Sequence, residues 1–189
     1  MSPESGRLLA ASAVLAAYAV FCGLVAWRAA RRRRPSTPVA DAQGGSPMLV
    51  AYASQTGFAE ELAQRTAAVL QAGAIPVRVS GVDGLDAAAL ASARRALFVI
   101  STTGEGDAPD SAARFVRKVM GSPAALSGLD YGLLALGDSS YVRYCDFGRR
   151  VDAWLQAQGA TPLFDRIEVD GGAADALRHW QTRIEGLAG

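Results

Sequence analysis

Three segments of this chain concentrate the residue types that grip an anion or a flat polar ring. They read SQTGFAE (54–60), STTGEGDAPD (101–110) and LGDSSYVRYC (136–145). In the first, Ser54, Gln55, Thr56 and Gly57 follow an apolar run, and an amphipathic pattern begins at Phe58 and Ala59. A helix N-terminus offers unpaired N–H groups and a partial positive charge, which favour phosphate. Ser54 and Thr56 add hydroxyl donors, and Gly57 lets the backbone approach closely. The segment contains no Lys or Arg, so it is not the G-x-x-x-x-G-K-[ST] loop of nucleoside triphosphatases. Taken alone, it favours an ordinary Ser or Thr helix cap.

The other two segments shift the balance. Ser101, Thr102 and Thr103 lead into Gly104, and Gly104 and Gly106 permit peptide rearrangement beside a ligand. This is not a dinucleotide fingerprint, which would follow the first strand. The third segment runs Leu136, Gly137, Asp138, Ser139 and Ser140 into Tyr141, Val142, Arg143, Tyr144 and Cys145. Exposed loop aromatics can stack on a flat ring. Packing against the following helix is the competing role, and it suits Tyr144 better than Tyr141. Glu105, Asp107, Asp110 and Asp138 would steer a basic partner or serve as plain solvated acids. His179, the only histidine, is expected to be structural beside Trp180.

The elements that carry these segments are legible as short apolar runs. MLVAYA (48–53), ALFVI (96–100) and GLLAL (132–136) are continuous, as in parallel strands covered on both faces. IPVRV (75–79) alternates like an edge strand, and TPLFDRIEV (161–169) supplies a fifth strand near its start. Helical patterns lie between them. One face of the first is marked by Phe58, Leu62, Thr66 and Val69 and widened by Ala59, Ala63 and Leu70. Later helices are marked by Phe115, Val116 and Val119, by Val151, Trp154 and Leu155, and by Leu177, Trp180 and Ile184. Alternation of this kind predicts a doubly wound α/β sheet with its ligand beyond the carboxyl ends of the strands. The three segments above follow strands one, three and four.

The 189 residues divide in charge as well as in pattern. Residues 1–47 hold six Arg against Glu4 and Asp41, a net of +4; the remainder holds thirteen basic and sixteen acidic residues, a net of −3. Leu8 to Trp27 is a charge-free run of twenty residues, enough helix to cross a bilayer core of about 30 Å. Arg7 precedes it and RAARRRR follows it, the reverse of a cleaved signal. The expectation is a short tail (1–7), a transmembrane helix (8–28), a basic flank and flexible Pro/Gly/Ser linker (29–47), and one domain (48–189). The positive-inside rule puts that domain in the cytoplasm, on the inner face of the cytoplasmic membrane. Beside an apolar run the Arg cluster suits lipid headgroups rather than nucleic acid. Cys22 and Cys145 make no disulfide framework, and no metal-ligand spacing occurs.

SQTGFAE, STTGEGD and LGDSSYVRYC together resemble the cofactor loops of the flavodoxin family. They are similar to those in the flavodoxin domains of sulfite reductase flavoprotein and NADPH–cytochrome reductase. The resemblance covers residues 48–189. It implies a five-stranded parallel sheet of order 2-1-3-4-5 that binds flavin mononucleotide (FMN) non-covalently. Residues 54–59 correspond to the phosphate loop, and 101–104 and 136–145 to the two loops enclosing the isoalloxazine ring. Tyr141 matches the ring-stacking tyrosine, and Asp170 an acidic residue near the flavin. The Gly104 carbonyl is implied to accept a hydrogen bond from N5 of the reduced ring after a peptide flip. Thr103 stands where the cytochrome reductases have Tyr, which would leave one ring face without aromatic cover.

The function expected is that of a membrane-anchored electron carrier, with a separate flavoprotein reductase as donor and an unidentified redox acceptor. No FAD or NADPH module is expected within residues 48–189. Two other readings stay compatible: an FMN dehydrogenase acting on a quinone or porphyrinogen at the membrane, and a non-redox binding module on the same fold.

Overall fold

The structure, a computed structural model, describes residues 46–189. The tail, the apolar run 8–28 and nearly all of the linker lie outside the described residues. Among the described residues no helix is long and apolar enough to cross a membrane.

The chain enters through β1 (Met48–Ala53) and returns along α1 (Phe58–Ala72) to β2 (Val77–Gly81). A short α2 (Ala87–Ser92) leads to β3 (Arg95–Ser101). Helix α3 (110–120) is composite, opening as a 3-10 turn (Asp110–Ala112) and closing as a π turn (Val116–Met120). Then come β4 (Asp130–Gly137), α4 (Asp146–Ala157), β5 (Thr161–Pro162), β6 (Ile167–Asp170) and α5 (Ala174–Ala188). The path through the sheet is β2-β1-β3-β4-β5, with β6 also on β4, and every pairing is parallel. The expected order 2-1-3-4-5 holds, with β5 and β6 sharing the fifth position.

Two details differ from the sequence reading. The first strand pairing partner begins at Val77, not Ile75, because residues 75 and 76 close the exit of α1. Ile75 N donates to Leu70 O at 3.0 Å, and Met48 N donates to Pro76 O at 2.8 Å. The fifth strand is split rather than continuous from Thr161. Between its two pieces Phe164 turns over β4, where a Cβ on Gly132 would come within 2.5 Å of its ring. That ring meets Trp180 edge-on at 5.8 Å.

Alternate residues of the continuous apolar strands face two separate cores. Leu49, Ala51, Phe98, Ile100, Leu133 and Ala135 pack with Phe115, Phe147, Val151 and Leu155. Val50, Leu97, Val99, Leu134 and Val169 pack with Leu62, Leu70, Trp180 and Ile184. On α1 the face is narrower than expected, since Phe58 is 38% exposed and Val69 only half-buried. Thr66, buried on that face, accepts a 3.0 Å hydrogen bond from Trp180 Nε1. A buried bond of this kind contributes about 1 kcal/mol and would cost more if either partner were left alone. His179, next to Trp180, is exposed rather than structural.

Candidate functional site

The carboxyl ends of β1, β3, β4 and β6 border a cleft of about 510 Å3. From the turn after β1 come Thr56 and Phe58. Gly57 adopts φ +99° at the N-terminus of α1 and makes no side-chain cap for its first turn. A residue with a Cβ would be strained there. The loop is braced from behind. Ser54 Oγ accepts from Gly57 N at 2.9 Å, and Ser54 O accepts from Ser111 Oγ at 2.9 Å. Gln55 Oε1 accepts from Asp110 N at 3.2 Å. Ser54 and Gln55 therefore join this turn to the start of α3, leaving Thr56 at the cleft.

After β3, Ser101, Thr102 and Gly104 line the cleft. Thr103 and Asp107 exchange both backbone hydrogen bonds, at 2.9 and 2.8 Å, and close a tight loop around Gly104–Gly106. Thr103 Oγ1 donates to Asp107 O at 3.1 Å. The threonine that replaces an expected aromatic thus serves its own loop. Gly104 has φ +45° and open space where a Cβ would stand. Thr102 Oγ1 is buried, with no hydrogen-bond partner among the described residues. Such an orphan costs stability unless a ligand or water meets it.

After β4, the cleft receives Leu136, Gly137, Asp138, Tyr141 and Tyr144. Asp138 Oδ1 accepts from Ser140 N at 2.9 Å, and hydrogen bonds from Ser140 hold its carboxyl below the usual carboxylate range. Tyr141 is 42% exposed, and Tyr144 is half-buried. Cys145 sits beneath the loop, fully buried, in the left-handed region at φ +58°. Its thiol donates to Ala135 O at 3.4 Å. Burial first, then the negative charge of Glu168, pushes that thiol up to about 11. A Cβ on Gly137 would come within 2.5 Å of Cys145 N, so only glycine admits this close turn.

Strand β6 and the turn after it complete the wall through Val169, Gly171 and Gly172. Asp170 does not line it. Its carboxylate accepts from Ser139 N at 2.7 Å and pins the loop after β4. Gly171 N adds a 2.9 Å bond to Gly137 O.

Ten of the residues anticipated from sequence thus converge on one cleft. Others lie around it: Ser54, Gln55, Gly57, Thr103, Ser139 and Asp170 shape its loops. Ala59 and Cys145 are buried below it, while Val142 is 91% exposed and Arg143 is exposed outside the cleft wall. Val169, Gly171 and Gly172 were not anticipated. Their signal is the paired glycine directly after a strand, at φ +51° and +82°.

These residues fit FMN. The uncapped first turn of α1 beside Thr56 suits a phosphate monoester. The unpartnered Thr102 hydroxyl suits the polar edge of a ring, and Tyr141 and Tyr144 suit its faces. Among the described residues no Lys or Arg lines the cleft, so the phosphate would be held by neutral donors.

Comparison with known proteins agrees. Residues 50–180 match the flavodoxin family. The sulfite reductase [NADPH] flavoprotein alpha-component of Shewanella sp. (strain MR-7) is 36% identical over 149 residues, covering 78% of this chain and 24% of that protein. Methionine synthase reductase of Caenorhabditis elegans is 40% identical over 126 residues, covering 65% of this chain and 18% of that protein. The chain thus spans a quarter or less of these relatives. Among solved structures, the flavodoxin of Streptococcus pneumoniae TIGR4 superposes with a TM-score of 0.63 at 26% identity, over 76% of this chain and 95% of that one. Oxidised flavodoxin 1 of Bacillus cereus, at 23% identity and TM-score 0.64, shares the fold. Sequence match, sheet order and cleft converge: this chain belongs to the flavodoxin family, whose cofactor is FMN.

Proposed function

We propose that the domain works as an electron carrier at a membrane, taking electrons from a flavoprotein reductase and passing them to a redox acceptor. Bound FMN supplies the redox chemistry. The chain's own residues hold its phosphate at the start of α1, shield its ring with the loop after β4, and keep water from its edge. The observation that carries this reading is the make-up of the cleft wall, which among the described residues contains no His, Lys or Cys. Its one carboxylate, Asp138, is exposed and favours the ionised form. Such a wall binds a cofactor but offers little general acid–base chemistry for a second substrate. This favours the carrier over a quinone or porphyrinogen dehydrogenase.

The membrane part of the proposal rests on sequence. The charge-free run Leu8–Trp27 followed by Arg28 and Arg31–Arg34 supports a tether in the cytoplasmic membrane, with the domain on the cytoplasmic side. Confinement to two dimensions would raise the encounter frequency with a membrane-bound partner. Purified protein is expected to oxidise NADPH negligibly alone, and its FMN to be reduced rapidly once a flavoprotein reductase is added. Steady NADPH turnover without a partner would replace the carrier by a self-sufficient reductase.

A further inference from the structure

Arg149 lies in α4, outside the cleft wall, yet its contacts run back into it. Its Nε and Nη2 donate to the two carboxylate oxygens of Glu168 at 2.8 and 2.7 Å. A paired fork of this kind fixes the plane of the guanidinium as well as its place. The Cζ of Arg149 stands 5.2 Å from the centroid of the Tyr144 ring, and Tyr144 lines the cleft. Glu168 is itself held: it accepts from Arg166 Nε at 3.0 Å, and Arg166 also donates to Asp152. Asp152 is buried and accepts from the fully buried Tyr131 at 2.5 Å. The face of the guanidinium that meets Tyr144 is thus anchored, side chain by side chain, to the core under β4. On the same strand Asp170, two residues from Glu168, holds Ser139 of the cleft loop.

We propose that Arg149 and Glu168 form a clamp that sets the position of the Tyr144 ring in the cleft, making both positioning residues for the flavin. The inference rests on FMN occupying this cleft. A cation over an aromatic face restrains the ring without covering its other face. The bidentate ion pair restrains the cation. Neither residue touches the cofactor site directly, and the effect passes through Tyr144.

The test measures FMN affinity and the fluorescence and visible circular dichroism of bound flavin in full-length protein. Arg149→Met is expected to weaken FMN binding about three- to tenfold, the scale of a lost cation–aromatic contact, and to alter both spectra. Glu168→Gln should act in the same direction, and the double variant should add little to either single one, since the two act as one unit. Arg149→Lys, which keeps the cation but not the fork, should recover part of the effect. Amide exchange of the apo-protein should quicken at residues 139–145 in Arg149→Met. Unchanged affinity and spectra in both single variants, with wild type binding FMN, would overturn the clamp even if melting temperature fell. Wild-type protein that binds no FMN would overturn the premise and the clamp together.

Discussion

Tyr141 presents its ring at the mouth of the cleft, while Tyr144 is half-buried with Arg149 beside it. Tyr141→Ala is therefore expected to lower FMN affinity and to raise the fluorescence of bound flavin. If Tyr144→Ala has that effect and Tyr141→Ala does not, the stacking role belongs to Tyr144. Thr102 allows a two-sided test. Its hydroxyl is buried without a partner among the described residues. Thr102→Val keeps the shape and should cost about 1 kcal/mol of FMN binding, while leaving apo-protein melting unchanged or raised. Equal melting shifts with no change in FMN affinity would remove Thr102 from the site. Cys145, as the last residue of LGDSSYVRYC, was expected in a loop enclosing the ring, and its full burial under β4 makes it a support instead. With the thiol pushed from 9.0 up to about 11, it should resist alkylation in folded protein at pH 8. The stability it contributes is complete below pH 9 and is lost as pH rises through about 11. Rapid labelling of native protein at pH 8 would contradict that placement.

Among the elements, β6 does more for the site than its four residues suggest. Val169 lines the cleft, Asp170 holds Ser139, and Glu168 pairs with Arg149. Hydrogen bonds from Arg149, and then from Arg166, hold the Glu168 carboxyl below its usual range against partial burial. Its contribution is complete above the unfolded value of 4.5 and is lost as pH falls through the lower folded value. Melting curves of wild type and Glu168→Gln should therefore converge in acid and separate toward neutrality. A constant gap across that range would show that the ion pair does not stabilise the fold. The parallel strands were legible because continuous apolar runs alternate with helical patterns, whereas their order came from the resemblance of the three loops to the flavodoxin family. The loops at their carboxyl ends were legible because Gly, Ser, Thr and Asp cluster there. The split of the fifth strand was not, because it depends on Phe164 packing over Gly132, a contact between residues far apart in sequence. Nor was the ion-pair network, since Arg149, Glu168, Arg166 and Asp152 meet only once β4, α4 and β6 are assembled.

At the scale of the whole molecule the charge is divided, with +4 in residues 1–47 and −3 in the rest. Glu105, Asp107 and Asp138 are exposed on the loops after β3 and β4, and Asp110 is exposed at the start of α3. A basic partner face would be steered toward them, and its association would slow as salt rises. Reduction by an added flavoprotein reductase should accordingly be slower at 0.5 M than at roughly 0.05 M ionic strength; a rate independent of salt would remove the steering role. The tether proposed for residues 8–28 can be checked with a reporter fused after Gly189, which should behave as cytoplasmic and remain with the membrane fraction at alkaline pH. The electron-carrier role depends on one cofactor in one cleft. Its most direct test is the absorption spectrum of purified protein, followed by identification of whatever denaturation releases. The account predicts a yellow protein that releases FMN at about one per chain. A colourless protein that does not take up added FMN, or one that releases FAD in equimolar amount, would contradict it.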